Sequence, residues 1–146
     1  MKKLLIMAVA ILGFATVNAQ EVGIRFGMNS GANNVAVDGI FELGQFSRVH
    51  ANVNFFDGGM GVDALWDCLY RPFPDVANLN WYAGFGPSIT LANSYFGLGV
   101  SGEVGLEYRF ADIPLAIGLD WRPTFWILEE TDMAFNGFGL NIRYVF

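Results

Sequence analysis

Beyond residue 20, apolar side chains recur at every second position, and no other feature of the chain limits its fold as tightly. In Glu21–Asn29, Val22, Ile24, Phe26 and Met28 fall on one face, with Gly23, Arg25, Gly27 and Asn29 on the other. Successive side chains of a strand point to opposite faces, so a period of two predicts sheet with one apolar and one polar side. Residues 47–55 repeat the pattern, with Val49, Ala51, Val53 and Phe55 against Arg48, His50, Asn52 and Asn54. After an Asp57-Gly58-Gly59 hairpin turn, Met60, Val62, Ala64, Trp66, Cys68 and Tyr70 oppose Gly61, Asp63, Leu65, Asp67 and Arg71. Residues 33–42 alternate more weakly, while 80–90, 95–110, 114–127 and 138–146 do so clearly. Helix is excluded because Gly, Asn and Pro recur inside every window. The pattern predicts eight strands, most near the roughly 9–11 residues that cross a bilayer at a tilt. Residues 72–78, Ala111-Asp112 and the acidic stretch 129–132 serve as connections.

Residues 1–19 read differently. Lys2 and Lys3 precede a short apolar run over 4–15, and Val17-Asn18-Ala19 fits a small-residue cleavage site, which predicts a Sec export signal cut after Ala19. Residues 20–146 then form one domain. That domain has no lysine, and its six arginines face fourteen acids, a formal net charge of −8 that excludes a basic nucleic-acid footprint. Cys68 stands alone, so no internal disulfide forms. With a single cysteine and a single histidine, a tetrahedral metal site would have to draw on carboxylates, and no metal or cofactor is expected. The glycine-rich stretches 84–88 and 97–105 are not phosphate loops, because no helix follows them; they read as small residues giving room inside a sheet.

A hydrophobic content of 53 % without any apolar run of helical-span length leaves two all-β solutions. One is a soluble exported barrel of lipocalin type; the other is a membrane barrel, whose lipid-facing side hides in the alternation. The polar face decides for the membrane barrel. It consists of Gly, Ser, Ala and Asn with a few Arg, Asp and Glu, which suits a narrow interior filled by side chains. Aromatics near strand ends (Phe41, Tyr70, Trp81, Tyr108, Trp121, Phe125, Trp126, Tyr144, Phe146) fit an interfacial girdle. The predicted fold is therefore an antiparallel up-and-down transmembrane β-barrel of about eight strands.

The terminal segment FGLNIRYVF resembles the C-terminal signal by which outer-membrane barrels are recognised for assembly: a final aromatic, Phe146, preceded by Phe138, Leu140, Ile142 and Tyr144 at alternate positions. The chain as a whole is similar to the small eight-stranded outer-membrane proteins of the OmpX and OmpA-barrel type. Its segment 105–125 resembles one that recurs in small outer-membrane barrels, although its outer loops are shorter than those of the OmpX type. The resemblance implies a Gram-negative outer membrane, with membrane lipid, lipopolysaccharide and the barrel assembly machinery as partners.

Within such a barrel the inward face would carry Arg25, Arg48, Arg109, Arg122 and Arg143 against Asp38, Asp63, Asp67, Glu103, Glu107 and Asp120. Charges confined to a narrow lumen must pair. The expectation is mutual pairing of the charged residues of the last three strands, with Arg25 and Arg48 serving Asp38, Asp63 and Asp67. This predicts a structural ionic plug; a proton or ion route is the alternative. His50 completes no catalytic motif, since Asn52 stands where the His-x-Ser pattern of outer-membrane lipid hydrolases and acyltransferases needs serine. Pro87 and Pro123 cannot donate to a ladder and mark either a ragged rim or a lateral opening suited to a lipid-modifying enzyme or ligand conduit. The reading adopted is non-enzymatic: a structural, adhesive or accessory barrel.

Overall fold

The computed structural model describes residues 2, 4–6, 20–29, 32–128 and 131–146. The cleavage site after Ala19, most of the expected export signal, and Glu129 and Glu130 lie outside the described residues. The strands are β1 (Glu21–Asn29), β2 (Ala32–Glu42), β3 (Arg48–Phe56), β4 (Gly59–Pro72), β5 (Leu79–Ala92), β6 (Tyr95–Arg109), β7 (Leu115–Trp121), β8 (Thr124–Trp126), β9 (Asp132–Ala134) and β10 (Phe138–Val145). They pair antiparallel in the order β5-β4-β3-β2-β1-β10-β7-β6, and β5 pairs back onto β6, so the sheet closes on itself. Since β7 with β8, and β9 with β10, make up the seventh and eighth staves, the fold is an all-β, eight-stranded, antiparallel closed barrel.

Closure turns the two-residue period into inside and outside. In β6, Gly97, Gly99, Ser101, Glu103, Gly105 and Glu107 are buried, while Phe96, Val100, Val104, Leu106 and Tyr108 between them are exposed. Register aligns the outward side chains into belts: Phe26 lies opposite Leu140, Leu140 opposite Leu119, Leu119 opposite Leu106 and Leu106 opposite Trp81. The outer wall is apolar and the core is charged, the reverse of a soluble barrel. The turns at residues 43–47, 73–78 and 110–114 share one end with Gln20 and Phe146, which are joined by a backbone hydrogen bond of 2.8 Å. The Asp57-Gly58 turn, with Gly58 at φ 84°, lies at the other end.

Three expected orientations are corrected. A β-bulge falls in β4 between Trp66, opposite Phe85, and Leu69, opposite Ala83. The extra residue reverses the alternation beyond it. Tyr70, expected on the outer girdle, therefore turns inward to donate to Glu107 at 2.8 Å. Arg71, expected inside, sits beside outward Trp81 with its guanidinium 4.1 Å from the Phe46 ring centroid. Trp126 also leaves the expected girdle. It shares the inward parity of buried Thr124, and its ring lies against the space over Gly97 and Gly99 at the lumen mouth.

The prolines interrupt hydrogen bonds without shifting register. The β5–β6 ladder runs unbroken through Pro87, which lies opposite Val100. On its other side, the β4–β5 ladder lapses opposite Pro87 between the Asp63–Ser88 and Trp66–Phe85 pairs. Pro123 separates β7 from β8, yet Trp121 opposite Val104 and Thr124 opposite Ser101 keep one register, and Gly102 N donates to Pro123 O at 2.8 Å.

Candidate functional site: the ionic core of the barrel

Every stave except β5 places a charged residue at inward parity, and β5 supplies Tyr82 and Ser88 instead. Arg25, Arg48, Asp63, Asp67, Glu103, Glu107, Asp120, Arg122 and Arg143 are all buried in the lumen, as is Asp38. Arg109, at the end that carries the termini, keeps 29 % of its side chain exposed.

Near that end, Arg143 bonds Glu21 through Nε at 2.8 Å and Asp38 through Nη1 at 2.9 Å, and also pairs with Glu107. Arg109 pairs with Glu21 and with Glu107. Arg48 bridges Asp67 at 2.9 Å and Glu107 at 3.0 Å, its guanidinium stacked 4.3 Å from the Tyr70 ring centroid and 4.5 Å from that of Tyr82. Such cation–π contacts gain strength when water is excluded. Midway, His50 sits between Asp38 on Nε2 at 2.5 Å and Glu103 on Nδ1 at 2.7 Å, with Arg122 Nη2 3.2 Å from Nε2. Arg122 in turn bonds Glu103 through Nε at 2.5 Å. Farther up, Arg25 makes a forked pair with Asp120, whose Oδ2 also accepts from Asn141 at 3.0 Å. At the mouth, Ser88, Ser101 and Thr124 form a hydroxyl chain at 2.6 and 2.7 Å.

All the lumen residues named from sequence are thus brought into one network, and several pairs are the expected ones: Arg48 with Asp67, Arg122 with Glu103, and Arg109 and Arg143 with Glu107; others are not. Arg25 reaches Asp120 rather than Asp38, Asp63 or Asp67, and Asp38 is held by Arg143 and His50. The reason is closure. β1 is next to β10, two staves from β7, and in a narrow lumen partners meet across the axis as readily as along a strand. Sequence reasoning does not single out Glu21, Tyr70 or Tyr82 as members. Glu21 shares the parity of Arg25 and is legible by that rule; Tyr70 is hidden by the bulge.

This core is crowded. The cavity bounded by Arg25, Asn54, Asp63, Ser101, Arg122 and Thr124 has a volume of about 10 Å³, the room of roughly one water. Both nitrogens of His50 already meet carboxylates, and no hydroxyl is bonded to it among the described residues, so it lacks the nucleophile–base pair that acyl transfer needs. Ligating atoms of His50, Asp67 and Glu103 lie within 4.8 Å of one another. The terminal residues Phe138, Leu140, Ile142, Tyr144 and Phe146 are all outward and exposed. Next to them, Phe26, Trp81, Leu106, Leu119 and Phe138 line an external apolar groove of about 590 Å³.

No protein-family model matches the sequence, and no curated protein does. Among solved structures, the chain is similar to one from the de novo design of transmembrane β-barrels, at 12 % identity and a TM-score of 0.64, over 85 % of this chain and 92 % of that one. At that identity the similarity is one of fold: this chain is a small eight-stranded barrel with the architecture of a transmembrane barrel.

Proposed function

We propose that the chain is an integral outer-membrane β-barrel of a Gram-negative envelope, exported by the Sec pathway, with a structural, adhesive or accessory role and no catalytic activity. The observation that carries this reading is the inversion of polarity: large apolar side chains stand exposed on β1, β4, β5, β6, β7 and β10 while the charges lie inside. In water that outer wall would form an apolar patch far beyond the few hundred Å² a soluble monomer shows. In a bilayer it is the lipid-facing band. The likeness to OmpX and OmpA-type barrels adds the outer membrane, lipopolysaccharide and the assembly machinery as surroundings, with Phe138, Leu140, Ile142, Tyr144 and Phe146 as the segment the machinery reads. The lipid-modifying alternative has less to stand on, because register is continuous past Pro87 and Pro123 and His50 is fully engaged.

An even number of staves puts both termini on one side of the membrane, and in the proposed reading that side is the periplasm. Cysteines introduced at Asp57 in a Cys68→Ser background should react with an impermeant maleimide on intact cells, and cysteines at Asp75 only after lysis. The reverse pattern would overturn the orientation, and labelling of neither site in intact membranes together with recovery of the chain in the soluble fraction would overturn the membrane assignment.

A plugged lumen also predicts electrical silence. Purified protein in planar bilayers should show no steady current above background. A stable, ion-selective conductance abolished by Glu103→Gln would replace the plug with a channel.

A further inference from the structure

The geometry points to a divalent transition-metal site, of the zinc or cobalt class, built from His50, Asp67 and Glu103 inside the barrel. In each of the three side chains one polar atom is held by an outer partner and another is left to face its fellows. His50 Nε2 is bonded to Asp38, itself fixed by Arg143 at 2.9 Å. Glu103 Oε2 accepts from Arg122 Nε, and Asp67 Oδ2 from Arg48 Nε. Facing one another are His50 Nδ1 and Glu103 Oε1, bonded to each other at 2.7 Å with Arg122 Nη2 3.3 Å from Nδ1, and Asp67 Oδ1, a fully buried oxygen with no hydrogen-bond partner among the described residues. A carboxylate on the far nitrogen of a histidine is the usual outer support of a metal-bound imidazole, fixing the tautomer that turns the near nitrogen to the ion. One imidazole and two carboxylates suit zinc and its neighbours better than calcium or magnesium, which take oxygen ligands alone.

Two further features single out Asp67. It sits at the β4 bulge, where the chain departs from the regular ladder, and bulges commonly re-aim a side chain at a site. Gly84 faces it across the strands, and a Cβ there would be 2.6 Å from the Asp67 Cα and 2.7 Å from Oδ1, so the absence of a side chain makes the seat for this carboxylate.

Charge is compatible with such an ion. Among the described residues, seven lumen carboxylates (Glu21, Asp38, Asp63, Asp67, Glu103, Glu107, Asp120) face five arginines (Arg25, Arg48, Arg109, Arg122, Arg143) and His50, which lies between Asp38 and Glu103. Without an ion, the two negative charges beyond the arginines are neutralised by protons, one of which His50 can carry. A divalent ion can take the place of both where the three side chains converge. Its binding displaces whatever proton lies between His50 Nδ1 and Glu103 Oε1 and releases it to solvent.

The test uses tag-free, full-length mature barrel folded in detergent with and without Co²⁺ or Zn²⁺, then freed of loose metal by gel filtration. Because His50 is the sole histidine, any imidazole ligation is unambiguous. The expected result is one ion per chain, visible d–d absorption with Co²⁺, and a shifted His50 ¹⁵N imidazole resonance with Zn²⁺. Cys68→Ser should retain the ion, whereas Asp67→Asn and His50→Gln should bind at least tenfold more weakly. Should those two variants fail to fold, the imidazole resonance of the wild type decides. Folded wild type that emerges metal-free, or an ion retained equally by folded Asp67→Asn, or lost in Cys68→Ser, would overturn the site.

Discussion

Replacing Arg143 with alanine is expected to be the most damaging single change in the barrel. Its guanidinium touches three buried carboxylates: Glu21 at 2.8 Å, Asp38 at 2.9 Å and Glu107. Glu21 and Glu107 keep Arg109 as a partner, and Glu107 keeps Arg48 as well, but Asp38 is left with His50 alone. Removing one member of a buried ionic group strands the others in low dielectric and costs about 3–5 kcal/mol. Arg71→Ala, on the outer side beyond the bulge, should cost no more than about 1 kcal/mol, the range of exposed pairs and cation–π contacts. Urea unfolding in detergent micelles, followed by tryptophan emission, measures both. Equal midpoints for the two variants would mean that the lumen network does not hold the barrel together.

Strand number, inward residues and the apolar outer face are readable because each depends on one local rule, the period of two. Glu103, Glu107 and Arg109 can be placed inside β6 from parity alone, and they are there. The rule fails where a single residue is inserted. Nothing in the segment Trp66-Asp67-Cys68-Leu69 announces a bulge, and every side chain beyond it changes face, which is why Tyr70 and Arg71 exchange places. The pairing of charges is readable between neighbouring strands, as for Arg48 with Asp67, but not across the axis, for a different reason. Arg25 with Asp120 is a contact between residues 95 apart, made possible by the closure of β1 onto β10 and the narrowness of the lumen. Alternation carries parity along a strand but no information about which residue lies across the axis. The same limit hides the meeting of His50 with Asp67 and Glu103, which come from three different strands and show no ligand spacing in the sequence.

Glycines inside the barrel are predicted to be as sensitive as the arginines they accommodate. Gly139, on β10 opposite Gly27 of β1, lies directly beneath the Arg25 guanidinium, and a Cβ at this position would overlap the Cζ, Nε and Nη2 atoms. Valine at 139 therefore cannot be absorbed by a small rotation of a neighbour. It must lift Arg25 away from Asp120, breaking a forked pair whose Nε–Oδ2 distance is 2.9 Å. Asp120 would keep Asn141 at 3.0 Å and a longer contact with Arg122 at 3.6 Å. The expected loss is again about 3–5 kcal/mol, because a buried charge is separated from its main partner. Gly102 supplies the control. It has outward parity in β6, and a Cβ there would meet Pro123 Cγ at 3.6 Å, an ordinary van der Waals contact, so Gly102→Ala should leave stability almost unchanged. The decisive variant is the triple one. Gly139→Val combined with Arg25→Met and Asp120→Leu removes both charges from the crowded space, and a buried pair replaced by apolar groups is often neutral in stability. Recovery of most of the lost stability in that variant would show that the glycine is there for the guanidinium; no recovery would mean that the valine harms the backbone of β10 itself.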